Sequence, residues 1–178
     1  MIRLFAALAI PDDIGETLAR RQQGLPRAKW RPLDTLHVTL RFFGEVSEEK
    51  AADLDLELQR AAGAPFDYEL SGVCAFGEGE EVRAVWAGVA ENEALNRLAA
   101  RCETAARRIG LTPEARTYKP HVTLAYTKHP DPARVAAWIQ GHNLLKSPPI
   151  RAHCFGLYSS WQSSDSSRYD LEREYLLR

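Results

Sequence analysis

Two identical four-residue segments, His-Val-Thr-Leu, begin at His37 and His121 in this chain of 178 residues. Both lie in short apolar stretches that predict β-strands, in which residues i and i+2 point to the same face. His37 therefore shares a face with Thr39, and His121 shares one with Thr123. An imidazole exchanges a proton near neutral pH, and a hydroxyl donates a hydrogen bond to an anionic oxygen. Each segment thus combines a proton-transfer group with a phosphate-binding group.

If the two segments face each other, their imidazoles can divide the proton transfers of one reaction. One imidazole takes a proton from the nucleophile, and the other gives a proton to the leaving oxygen, each transfer contributing about 10²–10⁴ in rate. The two threonine hydroxyls can hold the non-bridging oxygens of a phosphate between them. The pattern fits cleavage of a phosphodiester without a metal. A structural role for the histidines, or a cleft that binds nucleotides without catalysis, remains open at this point.

The other histidines, His129, His142 and His153, belong to no repeated motif, and we interpret them as surface or core residues. The sequence contains no pattern of histidines and cysteines typical of a metal site, so no metal site is expected. The alternation of the two strands also predicts their core-facing side chains. These are Val38, Leu40 and Phe42 in the first segment and Val122, Leu124 and Tyr126 in the second. Arg41 continues the face of His37.

The elements that position these segments are predicted twice, in the same order. Strands are expected at 2–9, 36–43, 66–76, 82–90, 121–126, 149–160 and 168–177, and helices at 12–23, 47–63, 91–109 and 131–141. Three pairs of equivalent residues are each 84 positions apart: His37 and His121, Pro65 and Pro149, and Gly72 and Gly156. We infer a duplicated α+β fold with two similar lobes, each a small, mostly antiparallel sheet with helices on one face. Residues 1–178 then form a single bilobal domain with repeat halves of approximately 1–80 and 81–178, and a cleft at the pseudo-two-fold axis.

Composition excludes several classes of protein. The net charge is −1, which argues against coating of nucleic acid through bulk electrostatics. The charge is unevenly distributed, because residues 1–89 carry 10 basic and 15 acidic side chains whereas residues 90–178 carry 13 and 9. No stretch is apolar for long enough to span a membrane. Three widely spaced cysteines, Cys74, Cys102 and Cys154, indicate reduced thiols and a cytoplasmic location.

The segments around the two histidines resemble those of the two-histidine (2H) phosphoesterases. Within that superfamily the chain is most similar to the RNA 2',3'-cyclic phosphodiesterases, also called 2'-5' RNA ligases. The likeness runs nearly from end to end and is carried by RLFAALAIP, KWRPLDTLHVTLRFFGEV, VWAGV, RTYKPHVTLAY, FGLYSSW and the closing strand at Tyr169. The two stretches that contain the histidines are the specific part of the resemblance.

The resemblance implies hydrolysis of a 2',3'-cyclic phosphate at an RNA end, which leaves a 2'-phosphate, and ligation through a 2'-5' linkage in reverse. It implies that His37 is the proton donor to the departing 3' oxygen, that His121 is the base that activates water, and that Thr39 and Thr123 hold the phosphate. It implies neither a metal nor an organic cofactor. The expected partner is RNA with cyclic ends or a small cyclic nucleotide, acted on by a monomer without an obligate protein partner.

Other residues are candidates for binding the substrate. Arg41, Arg116 and Lys119 could neutralise the phosphate or the RNA backbone, although Lys119 stands where the family commonly has arginine. Phe43, Phe76 and Tyr158 could stack on a base, and the four tryptophans are interpreted as packing residues. Three alternatives remain: a phosphodiesterase for another small cyclic nucleotide or a 2'-5' linkage, a nucleotide- or RNA-binding module without catalysis, and a metallohydrolase.

Overall fold

The computed structural model describes residues 1–162 and 167–178, which contain four α-helices, two short 3-10 helices and ten strands. The helices are α1 (Asp12–Ala19), α2 (Glu48–Ala61), α3 (Glu93–Arg108) and α4 (Pro132–His142). The strands are β1 (Ile2–Ala9), β2 (Lys29–Trp30), β3 (His37–Val46), β4 (Phe66–Tyr68), β5 (Leu70–Phe76), β6 (Ala84–Val89), β7 (His121–Tyr126), β8 (Ile150–Ala152), β9 (Cys154–Gln162) and β10 (Ser167–Leu176). None of the described helices is long and apolar enough to cross a membrane.

Three of the helices begin at a side chain that caps them. Ser47 accepts a hydrogen bond from the backbone of Lys50 at the start of α2, and Asn92 and Asp131 do the same for α3 and α4. Such a cap satisfies one of the amide groups that the first helical turn leaves unpaired. The predicted α+β content, with antiparallel strands, is confirmed. α1 ends at Ala19, earlier than expected.

Six strands of the main sheet are arranged symmetrically about the junction of β3 and β7. Within the described residues, seven strands follow the antiparallel order β10-β9-β1-β3-β7-β6-β5, and β2 also pairs with β7. The central strands β3 and β7 carry the repeated segments, and β1 and β6 flank them. The outer neighbours are exchanged, because β5 of the first half pairs with β6, and β9 of the second half pairs with β1. The two sequence halves therefore do not form separate sheets.

Two strand pairings join residues at equivalent positions of the two halves. Val38 pairs with Val122 in the main sheet, and Asp67 pairs with Arg151 in a separate two-stranded sheet formed by β4 and β8. The members of both pairs are 84 positions apart, as His37 and His121 are. An antiparallel pairing centred on equivalent residues is what a two-fold axis between the strands produces. The bilobal duplication of residues 1–178 stays a proposal, which this register supports.

The stretches 66–76 and 149–160 are each broken into two strands, contrary to the single strands predicted. The breaks fall at Glu69 and His153, which are also 84 positions apart. In each half the short first piece joins the small sheet and the longer second piece joins the main sheet. A run of alternating residues does not distinguish one strand from two that belong to different sheets.

The two central strands bury one face in a continuous hydrophobic core. Val38, Leu40, Val122 and Leu124 are buried there, in one core with side chains of β1, β6, α2 and α3. Complete burial of a valine or leucine side chain contributes about 1.5–3 kcal/mol. A shift by one residue would expose all four of these side chains and bury the histidines. The apolar positions of the two segments therefore fix which way His37 and His121 point.

Candidate active site

A cleft of about 730 Å³ lies over the junction of β3 and β7. Both histidines and both threonines of the repeated segments line it. The structure thus brings together the four residues that the sequence predicts to act together. Five aromatic residues also line the cleft: Phe42, Phe76, Tyr118, Tyr126 and Tyr169. The basic residues Arg31, Arg41, Arg83, Arg116 and Lys119 line it as well.

The register between the central strands determines which residues are neighbours. Because Val38 is opposite Val122 in an antiparallel pair, His37 is directed toward Thr123, and Thr39 toward His121. Each imidazole is thus matched with the hydroxyl of the other segment. A phosphate between the strands can meet both kinds of group from both sides.

The two imidazoles are oriented in the same way. Nδ1 of His37 lies 2.7 Å from the carbonyl oxygen of Thr35, and Nδ1 of His121 lies 2.7 Å from that of Lys119. In each case the carbonyl is two residues earlier in the chain. Because a carbonyl oxygen can only accept a hydrogen bond, Nδ1 carries the proton. This leaves Nε2 of each ring as the atom that accepts or delivers a proton.

Burial holds both imidazoles in the neutral form in the free protein. The pKa of His37 is lowered to about 4, chiefly by burial, with smaller contributions from the charges of Arg31 and His121; the hydrogen bond to Thr35 acts in the opposite direction. Burial also lowers the pKa of His121, and the charge of Lys119 acts in the same direction. A neutral ring with a free Nε2 is ready to act as a base, whereas an acid role requires a proton acquired on that atom.

A bulge follows each histidine-threonine pair and changes which face of the sheet the later residues point to. Leu40 has no partner between the pairs Ala7–Thr39 and Ala6–Arg41, and Leu124 is skipped in the same way between β6 and β7. One extra residue reverses the alternation beyond it. The prediction that Phe42 and Tyr126 face the core is therefore wrong. They are 49% and 47% exposed, and both line the cleft.

Two of the predicted cationic residues are held by carboxylates. Nε of Arg41 lies 2.5 Å from Glu103, and its other nitrogens donate to the backbone oxygens of Phe42 and Thr112. These contacts favour a role of Arg41 in holding the wall of the cleft over a role as a phosphate ligand. The exposed Arg116 forms two hydrogen bonds of 3.1 Å with the carboxylate of Glu114.

Lys119 is placed differently. Its Nζ lies 4.8 Å from the ring centroid of Trp86, and it forms no ion pair within residues 1–162 and 167–178. The rings of Trp86 and Phe76 both contact the imidazole of His121, with centroids 5.6 and 4.8 Å away. Lys119 therefore offers an available charge beside His121, and Phe76 an aromatic wall.

The other aromatic residues singled out in the sequence differ in burial. Phe43 is buried in the core and is removed from the set of base-stacking candidates. Tyr158 stacks on the buried Phe5 at 5.3 Å. Trp86 and Trp138 are buried as expected, and Trp30 packs on Trp138, but Trp161 is 58% exposed, so its interpretation as a packing residue is wrong.

Arg31 and Tyr169 are site residues that the sequence reasoning did not identify. Arg31 lies outside both repeated segments, and Tyr169 enters from β10 at the far edge of the sheet. The ring of Tyr169 meets that of His37 edge-on, with centroids 5.4 Å apart. Only the exchanged strands bring this residue to the site. Among the described residues, those of the cleft included, no three acidic, histidine or cysteine side chains are grouped as they would be to hold a metal ion.

Comparison with known proteins gives consistent results. A sequence model of the 2'-5' RNA ligase superfamily matches residues 10–161. The RNA 2',3'-cyclic phosphodiesterase of Archaeoglobus fulgidus is 33% identical over 134 residues, which cover 74% of this chain and 76% of that protein. The Escherichia coli protein of the same name is 35% identical over 68% of this chain and 70% of its own length.

Solved structures match over nearly the whole chain. The crystal structure of TT0787 of Thermus thermophilus superposes with a TM-score of 0.83 at 26% identity, covering 99% of this chain and 98% of that one. E. coli LigT in complex with 3'-AMP gives a TM-score of 0.77 at 29% identity, with the same coverage. These proteins share the arrangement of strands and helices described above.

Proposed function

Because the chain belongs to the 2'-5' RNA ligase superfamily, we propose that His37 and His121 catalyse its reaction by passing protons through the cleft. The protein is an RNA 2',3'-cyclic phosphodiesterase. It hydrolyses the cyclic phosphate at an RNA end, and the proposed product is a 2'-phosphomonoester. The observation that carries the mechanism is the placement of two equivalently oriented imidazoles, each with a free Nε2, in one cleft with two threonine hydroxyls.

The proposed reaction is a single displacement at phosphorus. Nε2 of His121 takes a proton from a water molecule whose oxygen attacks the phosphorus. The bond between phosphorus and the 3' oxygen breaks, and Nε2 of His37 gives its proton to that oxygen. His121 ends protonated and His37 neutral, and exchange with solvent restores both. The same displacement, with the 5' hydroxyl of another RNA in place of water, forms a 2'-5' linkage.

The threonine hydroxyls support this step by holding the phosphate. Thr39 and Thr123 each donate to a non-bridging oxygen, which keeps the phosphorus between the imidazoles. Lys119 contributes positive charge on the side of His121. Arg116 is a weaker candidate, because Glu114 already neutralises it. The negative charge of a bound phosphate raises the pKa of His37, which promotes the protonated form that the acid role needs.

The substrate is RNA with a cyclic phosphate end, as the names of the relatives indicate. We further expect a monomer without an obligate protein partner, since one chain supplies both histidines. The described cysteines Cys74, Cys102 and Cys154 are all free thiols, which supports a cytoplasmic location. Independence from metals is likewise a proposal, since protons and hydrogen bonds alone complete the step.

The experiment that tests the mechanism replaces each histidine with asparagine. The asparagine Nδ2 can preserve the hydrogen bond to the carbonyl of Thr35 or Lys119 while removing Nε2. Hydrolysis of adenosine 2',3'-cyclic phosphate should fall by about 10² or more in both variants. The control is His153→Asn at an exposed position, which should retain wild-type turnover. Activity within about tenfold of wild type in either variant contradicts the proposed role of that histidine.

A further inference from the structure

Arg31 differs from two of the other basic residues of the cleft in whether a carboxylate neutralises its charge. Arg41 and Arg116 are engaged by Glu103 and Glu114. Arg31 has no carboxylate partner within residues 1–162 and 167–178. An arginine that is not neutralised, in a cleft proposed to bind a phosphate, can provide charge and two parallel hydrogen bonds to an anion.

The backbone around Arg31 is fixed from both sides. Its amide donates to the carbonyl oxygen of Leu124 at 2.8 Å, and its own carbonyl oxygen accepts from Nε2 of Gln22 at 2.8 Å. The preceding residue, Trp30, pairs with Ala125. Strand β2 thus lies beside the end of β7 just beyond the second repeated segment. This position delivers the Arg31 side chain to the cleft.

Two tyrosines hold the guanidinium group. Its Cζ lies 5.7 Å from the ring centroid of Tyr126 and 5.4 Å from that of Tyr169. Tyr169 in turn contacts the imidazole of His37. Stacking against aromatic faces restricts the plane of a guanidinium without using its N–H donors. The group is therefore oriented while its hydrogen-bonding capacity stays available.

Among the described residues, one of those donors has no partner. Nη2 of Arg31 is buried and makes no hydrogen bond in the part of the chain that the structure describes. Buried polar groups are almost always paired, so an unpaired one at a ligand site indicates a group that the ligand satisfies. A phosphate oxygen is the acceptor that suits a guanidinium best.

We propose that Arg31 binds the phosphate on the His37 side of the cleft, with Tyr126 and Tyr169 fixing its orientation. This inference rests on the proposed function, and it adds a phosphate ligand that lies outside the two repeated segments. It also gives each histidine a cation held by an aromatic ring, since Lys119 lies over Trp86 on the side of His121. Because the 2'-phosphomonoester product carries more negative charge than the cyclic diester, Arg31 binds the product more strongly than the substrate.

The test measures binding of adenosine 2'-monophosphate by calorimetry, together with hydrolysis of adenosine 2',3'-cyclic phosphate. Arg31→Gln removes the charge, and Arg31→Lys keeps the charge but not the planar fork. Arg134→Gln, an exposed position on α4, is the matched control. The proposal predicts that Kd and KM rise by about 10-fold or more in Arg31→Gln, as expected for loss of a charged hydrogen bond. Arg31→Lys should fall between that variant and wild type, and the control should match wild type.

The outcomes separate this inference from the function on which it rests. Wild-type Kd and KM in a folded Arg31→Gln variant would overturn the role of Arg31 and leave hydrolysis intact. Loss of binding in Arg31→Gln and Arg31→Lys alike, with a lowered Tm in the absence of ligand, would show a structural role and also overturn it. If wild type binds the monophosphate through Arg31 but does not open the cyclic phosphate, the proposed function fails while the assignment of Arg31 stands.

Discussion

Val38 of β3 and Val122 of β7 are paired across the centre of the sheet, at equivalent positions of the two repeated segments. Both are completely buried, and each is flanked by the histidine and threonine of its own segment. Beyond this pair β7 takes β2 as its neighbour, at Trp30–Ala125 and Lys29–Tyr126. The two central strands therefore pair at these two valines and separate beyond them. This junction places two sets of proton-transfer and phosphate-binding groups in one cleft.

The first prediction concerns the dependence of activity on pH. If His37 is the acid and His121 the base, kcat/KM requires a protonated His37 and a neutral His121 in the free enzyme. The pKa of His37 is lowered to about 4 and that of His121 is also lowered, chiefly by burial in both cases. We therefore expect kcat/KM to be highest below pH 6.5 and to fall as pH rises toward 8, because the already small fraction of free enzyme with a protonated His37 decreases further.

This profile is measured with adenosine 2',3'-cyclic phosphate at constant ionic strength. His37→Asn should abolish the fall on the alkaline side, because its residual activity has no acid left to titrate there. A value of kcat/KM that increases steadily from pH 6 to 8 is incompatible with His37 as the acid.

The second prediction concerns the threonine hydroxyls. Thr39→Val and Thr123→Val keep the side-chain shape and remove the donor to the phosphate. A hydrogen bond to a charged group contributes about 1.5–3 kcal/mol, so kcat/KM should fall by roughly 10- to 100-fold in each. Thr39→Ser and Thr123→Ser retain the hydroxyl and should recover most of the activity. Equal kinetics for the valine and serine variants would rule out phosphate binding by that hydroxyl.

The third prediction assigns Arg41 mainly to stability. Its guanidinium joins β3 to Glu103 on α3 and to the backbone of Thr112, and its side chain is largely buried. Arg41→Gln should lower the free energy of unfolding by about 1–3 kcal/mol, because it leaves polar partners unsatisfied. We expect its KM to stay within about threefold of wild type, well short of a lost phosphate contact. Urea unfolding and steady-state kinetics measure the two effects, with Arg134→Gln as the control. Unchanged stability with a KM raised tenfold would instead make Arg41 a phosphate ligand.

The sequence was sufficient to predict the elements and the histidine-threonine pairs because those features are local. Strand β7 has the predicted bounds, 121–126, and the histidine and threonine of each segment share a face as alternation requires. The repeat of 84 residues also predicted that the two segments would meet. Each of these inferences depends on neighbouring residues or on the comparison of two similar stretches.

The sequence did not predict features that depend on how distant strands pair. The bulges at Leu40 and Leu124 are set by registry with β1 and β6, and they turn Phe42 and Tyr126 from the core to the cleft. Tyr169 reaches the site only because β9 and β10 extend the sheet beside β1. Arg31 directly follows the two-residue strand β2, which is too short for any periodicity to reveal. Pairing information of this kind is absent from local patterns.

The central claim is that two histidines open a 2',3'-cyclic phosphate to a 2'-phosphate by proton transfer alone. The most direct measurement is hydrolysis of a short RNA with a 2',3'-cyclic end in the presence of a chelator, with the 2'- and 3'-phosphate products resolved. The account predicts turnover to the 2'-phosphate at a rate that the chelator does not change, and loss of that turnover in both His37→Ala and His121→Ala. Formation of the 3'-phosphate, or activity that disappears with the chelator and returns with a divalent metal, would contradict it.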